Sequence, residues 1–243
     1  MKNYLILLFI CLASLLNLTP CTLQLWTFHD GLVENGWSSG MQAPETTRKL
    51  DIDGDGEMDC LALTEGQAGV YSGPCISGGT GNWIWRSPED WRVAQAEVSD
   101  LNRDGELEIT LLVWRDFSYW PVDSYMLHGK RIEGFHDADN QSCQLILVGN
   151  IHGEVRELWA GSALVDPVMQ FAAVDLEGDG HQELVALEGH YDDPVNTPAW
   201  ALSVWAWNGF GFSKQDRQEG TFSGIKIMRI DNDEIILLSQ IEK

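Results

Sequence analysis

Basic residues are scarce in this chain beside acidic ones. Lys and Arg total 15 against 37 Asp and Glu in 243 residues, a formal charge of −22. A surface so poor in cations does not neutralise nucleic acid phosphates and is repelled by anionic lipid. Its natural complement is a cationic partner or bound cations. Cysteine is sparse as well, with five residues, and no CxxC pair or Cys/His run has zinc spacing. Gly78-Gly79-Thr80-Gly81 lacks the Lys and following helix of a phosphate-binding loop. Ser38, Ser39, Ser87 and Ser142 stand outside any G-x-S-x-G setting, which leaves an α/β-hydrolase without support. From Leu23 onward no amphipathic helical pattern extends beyond a couple of turns.

The one long apolar run lies at the start. Lys2 precedes Tyr4-Leu5-Ile6-Leu7-Leu8-Phe9-Ile10, and the run continues to Leu16, near the length of a signal-peptide core and short of the ~18 to 20 residues that span a bilayer. Residues 1–21 are therefore expected to be a signal for export, with 22–243 as the mature domain; a buried N-terminal strand or helix is the alternative. Leu18-Thr19-Pro20-Cys21 resembles a bacterial lipobox in its Leu and Cys, with Pro20 where such boxes carry a small residue. Lipidation at Cys21 would anchor the chain by one end, its only expected route to a membrane. Cys11 falls within the signal, leaving Cys21, Cys60, Cys75 and Cys143. Cys60 and Cys75 could close a local loop in an oxidising compartment, or remain buried thiols.

Short runs rich in Val, Ile, Leu, Trp and Tyr recur between Gly, Asn, Asp and Pro. Examples are Trp83-Ile84-Trp85, Leu145-Ile146-Leu147-Val148 and Leu202-Ser203-Val204-Trp205. This patterning predicts an all-β fold. Trp26, Trp85, Trp114, Trp159 and Trp205 fall in such runs and are expected to pack between sheets. Trp37, Trp120 and Trp200 are placed in loops, where an exposed ring could stack on a sugar or another protein.

One acidic stretch occurs three times. Asp51-Ile52-Asp53-Gly54-Asp55-Gly56-Glu57-Met58-Asp59 leads into Cys60-Leu61-Ala62-Leu63. Asp100-Leu101-Asn102-Arg103-Asp104-Gly105-Glu106-Leu107-Glu108 leads into Ile109-Thr110-Leu111-Leu112-Val113. Asp175-Leu176-Glu177-Gly178-Asp179-Gly180-His181-Gln182-Glu183 leads into Leu184-Val185-Ala186-Leu187. These loops hold thirteen of the 37 acidic residues, so the charge is concentrated. Four carboxylates about 4 Å apart repel by roughly 1 kcal/mol per pair even in water, which a bound cation would relieve. An EF-hand is excluded, because position twelve is Ala62, Leu111 or Ala186 instead of Glu. Closure comes at position nine, with Asp59, Glu108 and Glu183. The expected Ca²⁺ ligands are side chains at positions one, three, five and nine: Asp51, Asp53, Asp55 and Asp59; Asp100, Asn102, Asp104 and Glu108; Asp175, Glu177, Asp179 and Glu183. The position-seven carbonyls of Glu57, Glu106 and His181 complete up to three sites. Turns capped by Asp side chains without a metal are the alternative.

The loops start at 51, 100 and 175, and a degraded copy is expected at Asp231-Asn232-Asp233-Glu234. Such spacing, with several strands per period, predicts propeller blades; about 220 mature residues at about 50 per blade make roughly four. With their following strands the loops resemble the FG-GAP or VCBS repeats of integrin-α-like β-propellers in exported bacterial proteins. That resemblance implies a small propeller whose loops each join two strands and hold one Ca²⁺. The Phe-Gly and Gly-Ala-Pro elements of that repeat are not recognisable here, and Asn102 and Glu177 stand where its third-position Asp would be. The functional expectation is a non-catalytic, calcium-binding protein of the cell envelope or exterior that presents loops to a protein or glycan. A polysaccharide lyase or hydrolase on a propeller scaffold, or a module of a larger envelope assembly, are the alternatives. His128, His136, Asp137 and Asp139 could form a separate acid/base or metal site, or a solvated loop.

Overall fold

The computed structural model describes residues 50–73, 82–118 and 134–227 in full, and the strand backbone at 21–28, 32–35, 228–230 and 233–241. The chain is all-β, built as antiparallel sheets. β3 (Asp59–Thr64), β4 (Gln67–Ser72) and β5 (Trp83–Arg86) form one; β6 (Arg92–Ser99), β7 (Glu108–Asp116), β8 (Gln141–Ile151) and β9 (Glu154–Ala160) form a second. The third runs β10 (Val168–Val174), β11 (Glu183–Glu188), β12 (Ala199–Trp207), β13 (Phe212–Ile230), β14 (Asp233–Ile241), β1 (Cys21–Phe28) and β2 (Leu32–Asn35). β13 is long because it serves two neighbours, β12 along its first half and β14 along its second. Antiparallel pairing of Cys21 with Ile241 joins the two ends of the described chain.

β7 and β11 are largely apolar through their middles, where both their faces are covered. Ile109, Leu111 and Val113 pack with Val70, Val93 and Ile146 on one side, while Leu112 faces Phe171 and Leu184 on the other. β11 is buried at every residue, and its other face joins Leu202, Val204 and Phe222. β-branched and Leu side chains suit a pleated strand enclosed in this way.

Two glutamines fasten the sheets to each other. Gln95 on β6 accepts the Phe171 N–H at 3.0 Å and donates to the Phe171 carbonyl at 2.7 Å. Gln170 on β10 treats Ile225 of β13 the same way, at 2.9 and 3.1 Å. A side-chain amide thus completes backbone hydrogen bonds that no ladder reaches.

Of the tryptophans expected in the core, Trp85, Trp114, Trp159 and Trp205 pack against it half-buried. Trp200 lies on β12, not in a loop, stacked on His190 at 4.9 Å with the Arg217 guanidinium 4.0 Å from its ring. Trp26 lies on the β1 backbone; Trp37 and Trp120 lie outside the described residues. Of the expected fourth loop, Asp233 and Glu234 lie on the β14 backbone, with Asp233 paired to Ile230, and Asp231 and Asn232 lie outside the described residues. Cys60 is disulfide-bonded, while Cys143 is a buried thiol that burial pushes up to about 12. Cys75 lies outside the described residues, as does the expected signal at 1–21 apart from Cys21, which opens β1.

Candidate metal centre

Each acidic loop closes a hairpin in one register. The residue before position one pairs with position nine: Leu50 with Asp59, Ser99 with Glu108, Val174 with Glu183. The closing carboxylate therefore stands on the first residue of the strand that follows, and it is buried, with Asp59, Glu108 and Glu183 at 8, 1 and 2% exposure. Its first task is the same in all three. Asp59 accepts the N–H of Ile52, Glu108 that of Leu101, and Glu183 that of Leu176, at 2.8, 2.7 and 3.0 Å.

The rest of the loop follows from the first residue. Asp51, Asp100 and Asp175 each accept the N–H of the glycine at position six, at 3.0, 3.4 and 2.9 Å. Gly56, Gly105 and Gly180 have φ of +87, +88 and +87°, a left-handed turn that a Cβ disfavours. Position five accepts from position seven: Asp55 from Glu57, Asp104 from Glu106, Asp179 from His181. Position four is also left-handed, with Gly54 at +78°, Arg103 at +62° and Gly178 at +71°. Arginine there costs on the order of 1 kcal/mol, so the middle loop carries strain that the other two avoid.

Acidic oxygens converge in two of the three loops. One oxygen each from Asp51, Asp53 and Asp59, and one each from Asp100, Asp104 and Glu108, lie within 4.8 Å of one another; among the described residues the third loop forms no such trio. Asp55 and Asn102 stand beside these trios. Asp55 Oδ1 is engaged with Glu57, and the Asn102 amide donates to Asp104 at 2.9 Å. Glu57, Glu106, Glu177 and His181 are exposed, and none of their side chains joins either trio.

The second oxygen of the closing carboxylate separates the loops. Asp59 Oδ1 and Glu108 Oε2 are buried and without a hydrogen-bond partner. Glu183 Oε1 instead holds Arg103 Nη2 at 2.6 Å. Burial, helped by neighbouring acidic groups, raises all three closing carboxyls: Asp59 above its usual range, and Glu108 and Glu183 both up to about 7, in Glu183 against the pull of Arg103. A buried carboxylate with a free oxygen among other carboxylates is short of positive charge. Hard oxygen donors around such an oxygen suit Ca²⁺, which takes six to eight of them. The residues of the first two loops fit that ion.

The loops are neighbours. Asp51, Gly54, Asp104 and Glu108 line one cavity of about 220 Å³, and Asp100 N–H donates to Gln182 Oε1 at 2.7 Å across to the third loop. The expected His/Asp site does not converge. Asp137 accepts the N–H groups of Asp139 and Gln141 and so builds the turn into β8, while His136 bonds the Asp137 carbonyl; His128 lies outside the described residues.

Sequence reading passed over a second site. A cavity of about 420 Å³ opens between the 161–166 connection and β11 to β13, walled by Trp159, Trp205 and Phe212. Glu188, 2% exposed, has Lys214 on Oε1 at 3.0 Å and Arg217 on Oε2 at 2.6 Å; Arg217 also reaches Asp166 at 2.9 Å. The alternating charges Lys214, Asp216 and Arg217 beside apolar Phe212 were the available signal. Comparison of the chain with models of known protein families returns no match, and neither does comparison with curated proteins.

Proposed function

We propose that this is an exported, calcium-stabilised β-propeller of four blades that binds a glycan or protein and performs no chemistry of its own. The calcium reading is carried by one observation: the buried, unpartnered oxygens of Asp59 and Glu108, each within a trio of acidic oxygens. Ca²⁺ would be held in the first loop by Asp51, Asp53 and Asp59, and in the second by Asp100, Asp104 and Glu108. Its contribution is positive charge where two hairpins bury negative charge.

Supporting the propeller reading, the chain divides into four meanders: Leu50 with β3 to β5, β6 to β9, β10 to the first half of β13, and the second half of β13 with β14, β1 and β2. The last would close a ring by joining the chain ends, and the Gln95 and Gln170 clamps tie the first strand of one meander to the first of the next. Export suits the disulfide at Cys60. The cavity beside Glu188 supports binding, and a glycan in particular: aromatic walls present apolar ring faces, and the adjoining cations and carboxylates suit hydroxyls, which both donate and accept. Binding is favoured over catalysis there because both oxygens of Glu188 are held by cations, leaving neither to act as base or nucleophile.

The test has two arms. Thermal melting of the mature chain in Ca²⁺ and in EGTA should show a fall of about 10 °C on chelation, since two sites at a hundredfold excess over Kd contribute about 2.7 kcal/mol each. An unchanged melting curve and no bound metal would end the calcium reading. A glycan screen with and without Ca²⁺ addresses the binding reading, which is lost if nothing in the panel binds under either condition.

A further inference from the structure

We infer that the third acidic loop carries its cation within the chain: the Arg103 guanidinium stands at Glu183 where the first two loops take a metal ion, so the protein binds two divalent ions and not three. This rests on the calcium reading of the first two loops and adds a count to it. The three hairpins share their register, the bond from position nine to the position-two N–H, and the glycine turn at position six. Their closing carboxylates differ at one oxygen. In the first two loops it is buried and unpartnered; in the third it binds Arg103 at 2.6 Å.

The origin of that arginine is informative. Position four is Gly54 in the first loop and Gly178 in the third, both left-handed, and the second loop places Arg103 in the same backbone conformation. A residue that a left-handed turn disfavours is held there with its side chain crossing to the next hairpin, three-quarters shielded from solvent. The Asp100 N–H to Gln182 bond keeps the two loops in contact beside it. A guanidinium seated on the closing carboxylate satisfies the buried charge and repels a second cation from the same oxygen. Consistent with this, the third-loop carboxylates form no convergent trio among the described residues. The second loop thus supplies the cation of the third, and an ion that orders the second loop also positions Arg103.

Counting ions tests this directly. The mature chain is equilibrated with Ca²⁺, and bound calcium per chain is measured by native mass spectrometry for the wild type, Arg103→Gly and Glu183→Gln. Two ions are expected in the wild type, three in Arg103→Gly, which restores glycine at position four and releases Glu183, and two in Glu183→Gln. Three ions in the wild type, or loss of one on Glu183→Gln, overturns the inference while the calcium reading stands. Two ions in a folded Arg103→Gly overturns it equally. No ions in the wild type overturns both. Should Arg103→Gly not fold, the wild-type and Glu183→Gln counts still decide.

Discussion

Glu108 and Glu188 are both glutamates on buried strands, at 1 and 2% exposure, and the chain treats them in opposite ways. Glu108 closes the second acidic loop with a serine hydroxyl and a backbone N–H on Oε1 and nothing on Oε2. Glu188 faces the cleft with a cation on each oxygen. A buried carboxylate must be neutralised by a proton or a cation. In a chain with so few basic residues, the cleft has its cations built in, whereas on the calcium reading proposed above the first two acidic loops would take theirs from solution. The first region should therefore behave the same in any buffer, and the second should follow the divalent ion.

The largest effect is expected at the cleft. Glu188→Ala leaves Lys214 and Arg217 facing each other across a space their counter-charge occupied, and breaking a buried pair costs about 3 to 5 kcal/mol. The melting temperature should fall by about 10 °C, equally with and without Ca²⁺. A fall that Ca²⁺ removed would break the distinction between the two regions. Glu108→Gln should instead change sign with the buffer. In EGTA it removes a buried, repelled charge and leaves the melting temperature unchanged or raised; in Ca²⁺ it gives up one site, a loss of about 2.7 kcal/mol at a hundredfold excess over Kd. Melting curves of wild type and variant in the two buffers make the measurement, and a variant equally destabilised in both would show Glu108 to be structural only.

Both regions depend on the clamps that hold the sheets in place. Gln170→Ala strips partners from both polar groups of the Ile225 backbone, a loss of about 1 to 3 kcal/mol. Urea denaturation should show a lower midpoint with the slope unchanged; a neutral substitution would mean that water replaces the amide without loss.

Much of the loop side could be read from residue order alone. Position nine, the glycine at six and the strand that follows are local features, and Leu50, Ser99 and Val174 pair with position nine in one shared register. The all-β fold was legible for the same reason, since period and turn residues act over a few positions. What the linear pattern hid depends on distance in the chain. Arg103 and Glu183 are 80 residues apart, and so nothing beside Glu183 announces its partner. Gln95 and Gln170 each stand five residues before an acidic loop, a repeat visible in the letters, but their clamping role appears only once β6, β10 and β13 are side by side. Trp200 was misplaced because Pro198 and Thr197 before it suggest a loop, whereas β12 starts at Ala199.

The smallest of these effects separates a proton from a metal ion as the neutraliser of the acidic loops. Burial holds Glu108 near 7, above the ordinary glutamate value of 4.5, and raises Asp59 in the same direction. Between 4.5 and 7 the folded metal-free chain therefore binds more protons than the unfolded one. Stability from this source is complete below pH 4.5 and is lost as pH rises through 7. In EGTA the melting temperature should fall by a few degrees between pH 5 and pH 7.5. In Glu108→Gln only part of that slope should vanish, leaving the share due to Glu183, which burial also pushes up to about 7, to Asp59 and to the general repulsion of a chain at −22. In saturating Ca²⁺ the wild-type slope should flatten or reverse, because the ion binds the ionised carboxylates that the proton would otherwise occupy. A wild-type slope identical in EGTA and Ca²⁺ would mean that these oxygens never meet the ion, and that the acidic loops and the cleft are neutralised alike from within.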